Sequence, residues 1–500
     1  MKRTALSIAL AGLLAPVGHV YAAPTVSFSK LWTFNHASAN AGQTSEIPAF
    51  DAATNTLWVA GVNGFDVLSA STGSLVRHVD LSGVGGVNSV AIHNGLAAIA
   101  IENKADRTLP GIVQFYDTSL VSLSSGFYPN TVTVGALPDM LTFTKDGSKL
   151  LVANEATPNV YGAVGTANGG AGDPAGSVSI INVATRSVTN VGLAGVPVSG
   201  SAVRTNTGMD FEPEYITVSA DGSKAWVTLQ EANAVATLDL NANSFSSIVG
   251  LGTKDFSLAA NAIDPNHKDK KVELRSANVR GFYQPDAIAN YQRGGKTYLV
   301  MANEGDTRED DGDKLRAKES GLGGVPGDLK ELNISTPDST NGNLFTFGAR
   351  SFSIRDEAGK LVYDSGNILD AEAIRLGIYD DGRSDDKGVE PEGVSLLEIG
   401  GRTIAFVGLE RTTQGAVSMF DITDPNSVSY LDTIVTLGDV SPEGIVSYEQ
   451  GGKYYLAIAN EVSGTTSLYQ VAAVPEPEQY AMLLAGLGLI GVAARRRQRA

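Results

Sequence analysis

One unit recurs along this chain. It opens with a proline and an acid, runs through a strand of alternating apolar residues, turns at a glycine-containing pair, and closes on a glutamate after a second strand. Five copies are plain: Pro138-Asp139 to Glu155, Pro213-Glu214 to Glu231, Pro285-Asp286 to Glu304, Pro391-Glu392 to Glu410, and Pro442-Glu443 to Glu461. Two fainter copies precede them, Glu46-Ile47 to Ala60, which lacks the closing glutamate, and Val87-Asn88 to Glu102. The turn pairs Asp146-Gly147, Asp221-Gly222, Gly294-Gly295, Gly400-Gly401 and Gly451-Gly452 suit hairpins that need positive φ. A third strand follows, as in Val113–Asp117, Val178–Asn182, Val235–Asp239 and Val417–Asp421, and then a fourth, as in Val428–Leu437. Four strands in each of seven units predict an all-β fold, a seven-bladed β-propeller. Its ring should close by pairing Lys30–Phe34 with Ser467–Val471, which removes two open sheet edges.

Spacing between units is uneven. The opening acids Glu392 and Glu443 lie 51 residues apart, whereas Asp286 and Glu392 lie 106 apart. The excess predicts an insertion at about 305–385, between blades five and six, with acid-rich stretches at Glu309–Asp313 and Asp380–Asp386. A smaller insertion, rich in glycine and alanine, spans Ala163–Gly176.

The first two strands of a unit are antiparallel neighbours, so the opening acid and the closing glutamate emerge on one face. In a propeller the first strand of each blade lines the central channel, and the acids should crowd one mouth. The candidate metal ligands are therefore Glu102, Asp139, Glu155, Glu214, Glu231, Asp286, Glu304, Glu392, Glu410, Glu443 and Glu461, with Glu46 as a further opening acid. Carboxylates so crowded must be protonated, paired or neutralised by cations. A hard divalent cation, Ca²⁺ first, suits them, because it accepts about six to eight oxygens in flexible geometry. The plainer alternative is structural: each acid accepts backbone N–H bonds at a strand end, or pairs with Arg204, Arg308 or Arg411.

Composition removes other classes. The chain has 54 acids against 37 lysines and arginines, a formal charge of −17. Such a surface repels nucleic acid and anionic membranes and attracts cations. The absence of cysteine excludes disulfides, thiolate metal sites and thiol nucleophiles. The five histidines form no cluster in sequence, and no P-loop, G-x-S-x-G or H-E-x-x-H motif is present.

Both ends read as addresses. Lys2-Arg3, the apolar stretch Ala5–Val17 and the small-residue site Val20-Tyr21-Ala22 predict a signal peptide at 1–22, with the body at 23–473. Near the other end, Val474-Pro475-Glu476-Pro477 precedes the apolar run Tyr480–Ala494 and Arg495-Arg496-Arg497. Fifteen residues of helix span about 22 Å, short of the ~30 Å bilayer core. Segment 474–500 resembles a PEP-CTERM sorting signal. That resemblance implies an exosortase as partner, transient anchoring in the inner membrane of a Gram-negative bacterium, and a final place at the cell surface or outside it.

The body resembles the choice-of-anchor I family and, with it, the mesenchyme-specific cell-surface glycoproteins. The residues that carry this are Pro285-Asp286, Asn303–Glu309, Gly382–Gly388, Glu390-Pro391-Glu392-Gly393 and Ser441-Pro442-Glu443-Gly444. The family's alkaline-phosphatase-like label implies metal-dependent phosphoester hydrolysis, and the Glu-Pro-Glu-Gly segments look like those of phytase propellers. The leading expectation is an exported binding scaffold with a divalent-cation site, open to an extracellular polysaccharide or a phosphorylated ligand. The alternative is a Ca²⁺-dependent phosphatase or phytase, with Arg308 and Arg411 as candidate phosphate clamps in catalysis. Whether the chain is an enzyme stays open at this point.

Overall fold

The computed structural model describes residues 26–121, 129–157, 174–205, 211–307 and 312–473. The expected signal peptide, the sorting segment 474–500, Arg308, the acids at 309–311 and nearly all of the smaller insertion lie outside them. The described chain is all-β. Its strands form six four-stranded sheets and one five-stranded sheet, with a three-stranded and a two-stranded sheet besides.

Each of the seven larger sheets has a first strand carrying the opening segment of one sequence unit. These strands are Pro48–Asp51, Val87–His93, Pro138–Phe143, Pro213–Val218, Ile288–Arg293, Pro391–Ile399 and Pro442–Gln450. They touch one another in that order, and the last touches the first. The strand Val26–Asn35 pairs antiparallel with Thr465–Ala473, Val26 opposite Ala473 and Asn35 opposite Thr465. The two ends of the body therefore share one sheet. Apolar side chains fill the space between successive sheets; Trp58, Phe65, Val90, Ile99 and Tyr116 form one such layer.

The Pro-acid openings share a local device. Pro138 faces Asn154 while Leu141 faces Val152, so one extra residue sits on the first strand. The same slip occurs at Pro213/Ile216, Pro391/Val394 and Pro442/Ile445. A bulge of this kind bends the strand and re-aims the side chain it carries. The residue before the proline is left-handed at Leu137 (φ 42°), Gln284 (φ 43°), Glu390 (φ 49°) and Ser441 (φ 63°). Non-glycine residues adopt that conformation at a cost, commonly near functional sites. Its return is a backbone tie: the N–H groups of Glu155, Glu410 and Glu461 donate to the carbonyls of Leu137, Glu390 and Ser441 at 3.0, 3.0 and 2.8 Å. Each tie fixes a closing glutamate beside its opening acid.

Two glycines follow acids for a steric reason. A Cβ on Gly393 would lie 2.4 Å from the Glu443 carbonyl oxygen, and one on Gly444 would lie 2.2 Å from that of Glu46. Neighbouring first strands approach too closely there for any side chain. The Gly444 N–H donates to the Glu46 carbonyl at 3.1 Å, a direct backbone bond between the last unit and the first.

The expected insertion at 305–385 is not one block. Ser351–Asp356 and Leu361–Asp364, which fall inside it, are the third and fourth strands of the sheet begun by Ile288–Arg293. Their apolar residues, Phe352 and Ile354 among them, are buried against the next sheet. The extra chain instead forms two excursions. Residues from 256–279 and 317–344 share a satellite core of Phe256, Ile263, Ala277, Val279, Ala317, Leu329, Leu332, Ile334 and Leu344. A separate stretch after Asp364 holds the helix Ile368–Leu376 and a turn at Asp381–Arg383.

Candidate functional site

The bulged openings and tied closings meet around one cavity of about 760 Å³. Ten of the eleven candidate ligands line it: Asp139, Glu155, Glu214, Glu231, Asp286, Glu304, Glu392, Glu410, Glu443 and Glu461. Glu102 does not. Its carboxylate lies over Gly86 and it lines a separate groove with Lys104. Its unit opens with Val87-Asn88 in place of Pro-acid, so the proline-based opening is missing there. Glu46 is not among the lining residues either; it accepts a hydrogen bond from the Thr44 hydroxyl at 2.8 Å.

Electrostatics follow from that crowding. Burial, and then repulsion from Glu155 and Glu46, pushes the Asp139 carboxyl up to about 8. Burial raises Glu46 to about 7, with Glu461 and Glu102 adding to it against the Thr44 hydrogen bond. Glu214, Glu231, Asp286, Glu392 and Glu443 are all held well above the ordinary carboxyl range, by burial first and then by neighbouring carboxylates. Thirteen carboxyl side chains line the cavity among the described residues, against five lysines and arginines. Fully ionised, the carboxylates would outnumber the bases there by eight, thirteen against five.

The bases are unevenly placed. Lys387 Nζ lies 2.7 Å from Glu304 Oε1 and 3.0 Å from Glu390 Oε2. Burial opposes its charge, but Glu304, Glu390 and Asp306 outweigh burial and hold its pKa well above the usual value. Arg383 Nε donates to Glu390 Oε1 at 2.7 Å, and Arg411 Nη2 lies 2.7 Å from Glu410 Oε1. Arg383, Lys387 and Glu390 come from the stretch that precedes the Pro391 opening. That stretch is fastened by Arg350, itself 1% exposed, which donates to the Ser384 and Asp386 carbonyls at 2.6 and 3.0 Å.

Sequence reasoning missed these three residues. The stretch Asp380–Asp386 drew attention for its acids, yet it delivers bases to the mouth. Asp385 turns away to Arg316 and His267. The available signal was the Lys387-Gly388 pair just upstream of Glu390-Pro391, but nothing periodic marks it. Arg204 does not pair with a ring carboxylate. It is buried between Asp313 and Asp338 and donates to the Glu231 backbone carbonyl at 3.1 Å. Arg411 sits at the mouth with its side chain 40% exposed.

Comparison with known proteins places the chain. It is 25% identical over 191 residues to Gigasin-3a of Magallana gigas, covering 30% of this chain and 66% of that protein. It is 25% identical over 341 residues to the mesenchyme-specific cell surface glycoprotein of Strongylocentrotus purpuratus, covering 56% of this chain and 42% of that protein. The chain thus spans just under two thirds of one relative and under half of the other. Among solved structures it resembles hydrazine synthase of Kuenenia stuttgartiensis (TM-score 0.49, 11% identity, 92% of this chain and 99% of that one). It also resembles the β-propeller domain of Cps50 (Swd1) from Myceliophteria thermophila (TM-score 0.46, 8% identity, 90% and 100%). Residues 473–497 match the PEP-CTERM protein-sorting motif, which marks export to the surface or exterior of a Gram-negative cell with exosortase as processing partner. Residues 46–425, most of the chain, match the choice-of-anchor I domain, and the protein belongs to that family.

Proposed function

We propose that this protein is an exported cell-surface or matrix binding scaffold, a seven-bladed propeller whose acidic mouth takes up divalent cations, Ca²⁺ first. The observation that carries this reading is the convergence of ten repeat-borne carboxyl groups on one cavity. Burial and mutual repulsion disfavour the charged forms of most of them, so a cation among them would offset both costs. Support for seven blades comes from the cyclic contact of the seven first strands and from the shared sheet of the two ends. Residues 1–22 act in this reading as a signal peptide, and 474–500 as a transient inner-membrane anchor before release.

The alternative is Ca²⁺-dependent phosphoester hydrolysis. Arg411 favours it, as a half-exposed guanidinium at the lip of a carboxylate cluster. Metal analysis of the purified chain and a phosphoesterase assay, each with and without a chelator, separate the readings. Bound Ca²⁺ without turnover is the expected result. Turnover lost on chelation supports the hydrolase, and a chain that holds no divalent ion overturns both.

A further inference from the structure

Lys387 shows how this mouth holds an ammonium group. Its Nζ lies 2.7 Å from Glu304 Oε1 and 3.0 Å from Glu390 Oε2, and it donates to the Gly305 carbonyl. Glu304, Glu390 and Glu410 are the one carboxylate trio among the described residues whose ligand oxygens lie within 4.8 Å of one another. Lys387, Arg383 and Arg411 already pair with that trio. The other acids of the mouth are spread more widely, an arrangement that fits separate donor groups on one larger ligand better than it fits a single ion.

Five buried side-chain atoms of residues lining the cavity have no hydrogen-bond partner among the described residues: Glu231 Oε2, Glu392 Oε2, Thr307 Oγ1, Arg107 Nε and Arg411 Nε. Glu231 and Thr307 are each 6% exposed. Buried polar atoms left so are costly, and a ligand that pairs them gains accordingly. The set is mixed. The carboxylate oxygens need donors, the guanidinium nitrogens need acceptors, and the hydroxyl takes either. A bare cation serves the carboxylates and neither guanidinium; a phosphate does the reverse. An uncharged acceptor, such as a hydroxyl oxygen, also escapes repulsion from the thirteen carboxyl groups. Ile47, Met140, Tyr215, Val394 and Ile445, each one or two residues beyond an opening acid, add apolar wall to the same cavity. Its volume of about 760 Å³ is that of a site enclosing a small organic molecule.

On the binding-scaffold reading above, and independently of its Ca²⁺, we propose that this mouth also holds an amino sugar or a short amino-sugar oligomer. Its ammonium groups sit against Glu231 and Glu392 as the Lys387 ammonium sits against Glu304 and Glu390. Charge-assisted hydrogen bonds of that kind are the strong ones. Its hydroxyl oxygens accept from Arg107 and Arg411, and the C–H face of a ring lies on Tyr215.

Titration calorimetry of the chelator-treated full chain with a glucosamine tetramer tests this, with the N-acetylglucosamine tetramer, spermidine and CaCl₂ as separate arms. The glucosamine tetramer should bind at least about tenfold more tightly than its acetylated form, which lacks the ammonium groups, and than spermidine, which lacks the hydroxyls. E231Q and E392Q should each weaken it about tenfold, whereas E102Q, outside the cavity, should stay within about twofold of wild type. Thermal melts check that each variant folds, and the comparison of ligands on the wild-type chain stands without them. Equal binding of the acetylated tetramer removes the ammonium contacts, and equal binding of spermidine removes the sugar; either result overturns the proposal. So does unchanged affinity in both E231Q and E392Q. Ca²⁺ uptake without glucosamine binding overturns it while the cation reading stands. Selective glucosamine binding without Ca²⁺ uptake supports it and removes the cation reading.

Discussion

Replacing Glu410 with glutamine should make the metal-free protein more stable at alkaline pH, and only there. Glu410 is 5% exposed. Burial, then Glu304, pushes its carboxyl from 4.5 up to about 7, against the pull of Arg411. Between those two values the folded protein keeps a proton that the unfolded chain has lost. Stability therefore falls as pH rises through that window and levels off above it. A displacement of about 2.5 units corresponds to about 3 kcal/mol. E410Q imitates the protonated form and escapes that loss, and the pull of Arg411 is already contained in the value of about 7. The net expectation is a gain of about 3 kcal/mol at about pH 8.5 and none near pH 4.5. Guanidinium chloride unfolding of both proteins in excess chelator, across that pH range, measures it. An E410Q chain less stable than wild type at alkaline pH, or one with the same pH slope, would refute the claim that crowding strains this mouth.

Three further outcomes are expected. G444A forces a Cβ to within 2.2 Å of the Glu46 carbonyl oxygen and should cost at least about 2 kcal/mol, read as a lowered denaturation midpoint; an unchanged midpoint would show that the seam between last and first units is slack. Deleting Val26–Asn35 bares the edge of Thr465–Ala473 and should yield oligomers or aggregates in light scattering, whereas a stable monomer would contradict closure through that strand. R350M leaves Asp370 buried without its partner 3.7 Å away and unfastens the chain around Ser384 and Asp386. The loss should be about 3–5 kcal/mol, and hydrogen exchange at 381–388 should accelerate; protection at the wild-type level would place the anchoring of Lys387 elsewhere.

Much of the frame was legible because it is periodic. The alternation of apolar residues, the glycine turns and the Pro-acid openings mark each pair of first and second strands, and hairpin pairing alone puts an opening acid beside a closing glutamate. Ten of the eleven nominated carboxylates meet for that reason. Glu102 departs from them where its unit lacks the Pro-acid opening. The insertion was harder to read. Ser351–Asp356 and Leu361–Asp364 complete a sheet from within a stretch that spacing marks as extra, and residues 253–282 join residues 312–346 through a shared core and a short parallel pairing of Arg280–Gly281 with Phe345–Thr346. No local pattern announces a contact between segments so far apart.

The sequence by itself determined that strands of seven similar units would bring their acids to one face, because strand alternation and hairpin pairing are local rules repeated along the chain. Only the tertiary structure decided how that charge is shared. Arg350 brings the stretch around Lys387 against the mouth, where three bases meet three carboxylates, while Glu231 and Glu392 each keep a buried carboxylate oxygen with no hydrogen-bond partner among the described residues. The interaction of buried charges depends on distance and on the water removed between them, and neither exists until the chain has folded.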